Sequence, residues 1–206
     1  MQKTQEFKRV YLDRDDLCVG TPTSPAKASA EKGEARVERI LIRDNMRSFM
    51  NNELLNINVN RFYNQLPASL FMNDDACDDT KIFPSDGARI DMWGLEGSTI
   101  HIMELKTGEN SDLGVLSELF YYACFINDMY CIRHLERKDP PNLQQYDLYK
   151  HERGYFKLKD ANVDSVKAHF LLEREHRHFD VAFKELQKCE IEGIQFLKAS
   201  YPFSQL

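Results

Sequence analysis

The chain has 206 residues, 42% of them hydrophobic and 29% charged, with a formal charge of −6, enough for one domain or a tight pair around a buried core. This composition excludes a disordered chain, a collagen-like repeat and a disulfide scaffold, and the acidic balance speaks against an indiscriminate nucleic-acid coat. No apolar run approaches the ~18 residues of a membrane span. The first residues, MQKTQEFKRVYLDRDD, lack the apolar stretch of an export signal. Cys18, Cys77, Cys124, Cys131 and Cys189 contain no C-x-x-C pair. The expectation is reduced, mostly buried thiols in a cytoplasmic protein, neither a zinc site nor a disulfide frame.

In chain order, Phe7 to Leu12 reads as a strand, and Thr21 to Glu34 (TPTSPAKASAEKGE) as a linker without large apolar residues. Residues 1–32 are thus an N-terminal extension, and residues 33–206 a single α/β domain. A helix is expected from Gly33 to Met50, on the stripe Val37, Ile40, Leu41, Met46, Phe49 and Met50. Residues 51–80 are mixed and include an acidic loop, Asn73 to Asp79. Strands follow at Ala88 to Leu95 and Thr99 to Leu105, then a helix to Ile126 capped by Asn110 or Ser111. Met129 to Leu135 reads as a strand closed by Pro140-Pro141, Val166 to Leu172 as another, Phe179 to Cys189 as a helix and Gly193 to Ala199 as the last strand. Strands alternating with helices around one hairpin predict an α/β fold with a central mixed sheet flanked by helices.

The charges are unevenly spread. Asn73 to Asp112 holds ten acids against three bases, and Ile132 to Lys159 seven bases against four acids. Chemistry concentrates in RIDMWGLEGSTIHIMELKTGE, Arg89 to Glu109. Gly97-Ser98 suits a two-residue hairpin turn, glycine supplying the positive φ. That turn sets Asp91 opposite Glu104 and Arg89 opposite Lys106. Asp91, Trp93, Ile100, Ile102, Glu104 and Lys106 then share one face. Carboxylates on opposed positions, about 5 Å apart at Cβ, repel unless a cation or proton intervenes. With the backbone carbonyl of Leu105 they form an oxygen set suited to Mg²⁺ or Mn²⁺, and Lys106 is placed to orient water or meet phosphate charge. The plainer alternative is a strand-edge ion cluster in which Arg89 and Lys106 neutralise the acids. The apolar IHIM run leading into Glu104 weighs against it.

The pattern D-(x12)-E-x-K across a hairpin, followed by a helix, resembles the PD-(D/E)XK nuclease superfamily from about Gly33 to Leu135, with Ile90 where the family's proline would stand. The resemblance implies a restriction-endonuclease-like core in the order αβββαβ. It gives catalytic roles to Asp91, Glu104 and Lys106, and metal ligation to Asp91, Glu104, the Leu105 carbonyl and a first-helix glutamate. Glu38 is the choice for that glutamate, with Glu34 one turn earlier as the alternative. Glu118 stands inside the apolar run SELFYYACFI with Tyr122 on its face; the two resemble the Q-x-x-x-Y pair of one branch and are expected to support the metal site and contact DNA.

Three other features carry less. His176-x-His178 belongs to a strand-to-helix junction, His101 falls on the opposite hairpin face from Glu104, and Leu148 to Lys159 reads as an exposed basic hairpin. No P-loop, nucleophile elbow or dinucleotide fingerprint is present. The expected function is metal-dependent hydrolysis of DNA phosphodiester bonds, with RNA left open. A partner protein or a homodimer fits the acidic charge, and no membrane is involved. The alternative is a nuclease-like module that no longer cuts and serves as a scaffold.

Overall fold

The computed structural model describes residues 17–20, 33–72, 81–83, 88–108, 113–133, 142–143 and 153–206. Its centre is a five-stranded mixed sheet. The strands are β2 (Phe62–Pro67), β5 (Arg89–Glu96), β6 (Thr99–Lys106), β8 (Ser165–Leu172) and β9 (Ile194–Ser200), in that spatial order. β2, β5 and β6 are antiparallel neighbours, while β8 and β9 join parallel to β6. A smaller sheet has the order β4-β3-β1-β7, formed by β1 (Leu17–Gly20), β3 (Ser69–Met72), β4 (Lys81–Phe83) and β7 (Asn142–Leu143). Among the described residues four α-helices flank the sheets: α1 (Glu34–Leu41), α2 (Gly114–Ile126), α3 (Tyr155–Lys159) and α4 (Phe179–Gln187). Among the described residues no helix is long and apolar enough to cross a membrane.

The hairpin is as the sequence predicts. Glu96 pairs with Thr99 around Gly97-Ser98, and Gly97 has φ +58°. The pleat then sorts the hairpin's side chains into two cores. Trp93, Ile100 and Ile102 pack with Leu119, Tyr122 and Ala123 of α2; Met92, Met103 and Leu105 pack with Val37 and Leu41 of α1. Each helix thus covers one face, and the first residues of β5 and the last of β6 lie between them. At about 25 cal/mol per Å² of apolar surface removed from water, this two-sided burial is what holds the hairpin in place.

Four elements differ from expectation. The helix from Gly33 to Met50 is broken: α1 ends at Leu41, Arg43 is extended, and a 3-10 turn (Asp44–Met46) and a wide π-type helix (Phe49–Leu55) follow. The positions three and four after Leu41 are Asp44 and Asn45, both exposed, so the apolar stripe lapses where the helix stops. β2 and β3 fall in the stretch that reads only as mixed; Ala68 between them donates to the Ala88 carbonyl at 2.9 Å as the chain changes sheets. Of the expected strand Met129 to Leu135, the described part, Met129 to Arg133, is helical. The chain leaves α2 directly into a π-type helix, Asn127–Ile132, because Leu119, Ala123, Ile126, Met129 and Tyr130 prolong one buried stripe at helical spacing. The basic stretch expected as a hairpin turns helical at Tyr155–Lys159. The expected strand at Phe7 to Leu12, the linker, the acidic loop and the caps Asn110 and Ser111 lie outside the described residues.

Candidate functional site

The β5–β6 ladder ends at Met92↔Met103, whereas β6 stays paired with β8 through Lys106↔Leu172 and β5 with β2 through Arg89↔Pro67. The two strands therefore part at Asp91 and Glu104. The amide N–H of Leu105 donates to Asp91 Oδ2 at 2.9 Å. Asp91 thus stands on the register that the turn predicts, and its side chain, instead of a ladder bond, bridges to β6.

Glu104 is 2% exposed. Its Oε1 accepts from Lys106 Nζ at 2.8 Å, while Oε2 is buried with no hydrogen-bond partner among the protein atoms. Lys106 also lies 3.7 Å from Glu118 Oε2. The Tyr122 hydroxyl donates to Glu118 Oε1 at 3.1 Å, so both side chains of that pair face the fork from α2. Glu118, with 41% of its side chain exposed, forms the solvent rim.

From the other helix comes Glu38, 6% exposed. Its Oε2 accepts from Gln65 Nε2 at 2.9 Å. Glu34, the alternative on the same helix, accepts from the Thr107 amide at 3.2 Å and so fixes the chain just after Lys106. Gln65 is not singled out by the sequence. The pairs Asn64↔Met92 and Leu66↔Ile90 put it across from Asp91, and its φ of +57° is left-handed, a conformation that costs a non-glycine residue of order 1 kcal/mol or more. Tyr155 donates its hydroxyl to the Gln65 carbonyl and holds the kink. RFYNQLP carries no signal for this: a polar pair in a strand is ordinary, and a kinked φ leaves no trace in composition.

The electrostatics follow from crowding. Burial first, then repulsion from Glu38, raises the Asp91 carboxyl to about 7 against the opposing Leu105 hydrogen bond. Burial and the neighbouring Asp91 push Glu104 well above the usual carboxylate range. Glu38 is raised by burial, with the Gln65 bond opposing. Burial alone would depress Lys106, but Glu104 and Glu118 hold it above its ordinary value and therefore charged. Tyr122 is raised by burial and then by Glu118, and stays a hydrogen-bond donor.

One ammonium thus faces several acids in a half-dry fork, which is a deficit of positive charge. Among the described residues no three His, Cys, Asp or Glu side chains gather as a ready-made cage. The orphaned Glu104 Oε2, Asp91 and the Leu105 carbonyl are the oxygens a hard cation would take, with Glu38 beside them. The other candidates do not join this site. His101 is fully buried on the far face and hydrogen-bonds His169 and Glu96. His176 and His178 sit between β8 and α4.

Compared with models of known protein families, with curated proteins and with solved structures, the chain finds no match.

Proposed function

We propose that this chain is a metal-dependent nuclease that hydrolyses DNA phosphodiester bonds, built on a restriction-endonuclease-like core. The element order α1, β2, β5, β6, α2, β8, with β8 parallel to β6, supports that core assignment. The observation that carries the function is the buried, unpartnered Glu104 Oε2 beside a second carboxylate with a raised pKa. In the metal-free protein the raised acids hold a proton; ionised, the unmet oxygen would cost several kcal/mol in a dry site, and a cation is the partner that would offset it.

Mg²⁺ or Mn²⁺ bound there supplies charge neutralisation on the scissile phosphate and a water acidified toward neutral pH. Asp91 and Glu104 would hold the ion with the Leu105 carbonyl, and Glu38 would complete the shell. The Leu105 N–H fixes Asp91 Oδ2, and Oδ1 would be the oxygen to meet the ion. Lys106, kept protonated and anchored by Glu104, donates toward the phosphate oxygens and stabilises the charge that develops there. Glu118 sets the height of Lys106, and Tyr122 fixes Glu118 by its hydroxyl. The raised acids lose their protons as the cation enters, so binding releases protons and weakens below neutral pH.

Incubation with circular and linear, single- and double-stranded DNA and RNA in Mn²⁺, with Lys106→Ala beside the wild type, tests the reading. Cleavage by the wild type alone supports it. Cleavage surviving in Lys106→Ala, or none by either protein, refutes it and returns the chain to the scaffold alternative.

A further inference from the structure

We propose that the groove between α1 and the edge strand β2 binds the sugar–phosphate backbone of a nucleic-acid strand, an inference that rests on the nuclease reading and extends it to where the substrate lies. The groove is about 370 Å³ and is lined by Arg39, Arg43, Asp44, Arg61 and Asn64, with Phe62 beneath. Its three arginines are exposed. Arg39 and Arg43 project from α1 and its end, about one turn apart. Arg61 enters from the chain leading into β2, its guanidinium 5.5 Å above the Tyr63 ring. Next to it, Arg47 donates to the Asn60 carbonyl at 3.1 Å. Among the described residues neither Arg43 nor Arg61 forms an ion pair.

Among the described residues, Arg43 and Arg61, beside Arg39 and against Asp44, leave this groove positive in a chain whose total is −6. A polyanion is repelled by the molecule as a whole and by the acidic fork, so its attraction has to be local. Guanidinium forks match phosphate oxygens two bonds at a time, and the Asn64 amide adds a neutral donor of the kind that backbone contacts use.

The groove also shares a wall with the fork. Arg39 follows Glu38 in the chain and lies close enough to favour its ionised form. Asn64 precedes Gln65, whose amide holds Glu38. A strand seated on the arginines is therefore led along the Glu38–Gln65 contact toward Asp91 and Glu104. Such contacts position a substrate without reading its sequence.

Fluorescence anisotropy with labelled single- and double-stranded DNA and RNA oligonucleotides, in EDTA so that no metal-dependent cleavage runs, tests the groove across a salt titration. The wild type is expected to bind. The double variant Arg43→Ala/Arg61→Ala is expected to lose at least tenfold in affinity at low salt, and the slope of log K against log[salt] to shrink by about 1.4–1.8, roughly 0.7–0.9 for each of two phosphates no longer neutralised. Arg43→Lys/Arg61→Lys keeps the charges and the slope, which separates charge loss from misfolding. The DNA and RNA arms identify the sugar. An unchanged Kd and slope in the alanine pair, no binding by the wild type, or a mononucleotide competing as well as the oligonucleotide overturns the proposal. The outcomes separate from the nuclease reading. Arginine-dependent binding by a protein that never cleaves keeps the groove and sinks the nuclease; cleavage with arginine-independent binding does the reverse.

Discussion

On one face of β6, His101 is buried against His169 of β8; on the other, Glu104 is buried against Asp91 and Lys106. The histidine cluster is closed. His101 Nε2–H donates to Glu96 at 3.1 Å, Nδ1 accepts from His169 Nε2–H at 3.0 Å, and the Asn58 amide donates to the other Glu96 oxygen at 2.9 Å. Burial holds His169 near a pKa of about 3 and lowers His101 as well, Glu96 opposing, so both rings are neutral and matched. The carboxylate cluster is open, with like charges adjacent and one oxygen unmet. Both are buried polar groups on the same strand, but only the second leaves its desolvation uncompensated. Burial by itself therefore does not mark a site; an uncompensated electrostatic deficit does.

The largest effect expected from breaking this contrast is on activity. Asp91→Ala, Glu104→Ala and Lys106→Ala should each reduce Mn²⁺-dependent cleavage by at least about 10²–10³-fold, the scale of removing one group that stabilises transition-state charge. For Glu104→Ala the metal-free melting temperature should hold or rise, because repulsion is relieved; Asp91→Ala also strands the Leu105 N–H, which offsets its gain by about 1–3 kcal/mol. A marked loss of metal-free stability in Glu104→Ala would make the acids structural ion-pair partners.

Next in size is the response to metal. Millimolar Mg²⁺ or Mn²⁺ should raise the wild-type melting temperature, by the equivalent of about 2.7 kcal/mol at a hundredfold excess over Kd, and leave Glu104→Gln unmoved. His169→Ala should behave oppositely. It strands His101 Nδ1 and costs about 1–3 kcal/mol, while the shift on adding metal stays as in the wild type. Calorimetry of both variants with and without metal checks the pair.

A smaller effect appears in the pH profile of the metal-free protein. Asp91 has a folded pKa of about 7, above its unfolded value. The folded state holds its proton longer, so this contribution is present at acid pH and is lost as pH rises toward 7. His169, at about 3, is depressed. The unfolded chain takes its proton first, so stability falls as pH drops from about 6.5 toward 3. The two slopes oppose over pH 4–6.5, each at most about 1.4 kcal/mol per pH unit; Glu104 and Glu38, also raised, add to the Asp91 slope, and His101, also lowered, adds to that of His169. Relative to the wild type, Asp91→Asn should tilt the profile toward a fall at acid pH, and His169→Ala toward a fall at neutral pH. Melting curves across pH 4–8 in EDTA that keep the wild-type slope in both variants would refute this.

The smallest expected change concerns the kink. Gln65→Gly removes a strained φ worth about 1 kcal/mol and a hydrogen bond worth about the same, so its melting temperature should stay near wild type. The untethered Glu38 should nonetheless weaken the metal response several-fold. Gln65→Ala keeps the strain, loses the bond and should melt lower than Gln65→Gly.

Local pattern alone determined the hairpin. A glycine where φ must be positive and an alternation of period two fix which side chains share a face, and Asp91, Glu104 and Lys106 follow. Helical periodicity equally placed Glu118 and Tyr122 one turn apart, and short apolar-rich runs placed β8 and β9. Tertiary structure decided what depends on packing between distant segments. Met129 to Arg133 became helix because its apolar residues continue the α2 stripe against the sheet, which outweighs the strand preference of M-Y-C-I. The burial of Glu38 against Gln65, the kink at Gln65 and the parting of β5 from β6 likewise arose there. Each of these is set by which strand holds its neighbour more firmly, and a strand's partners are not written in its own sequence.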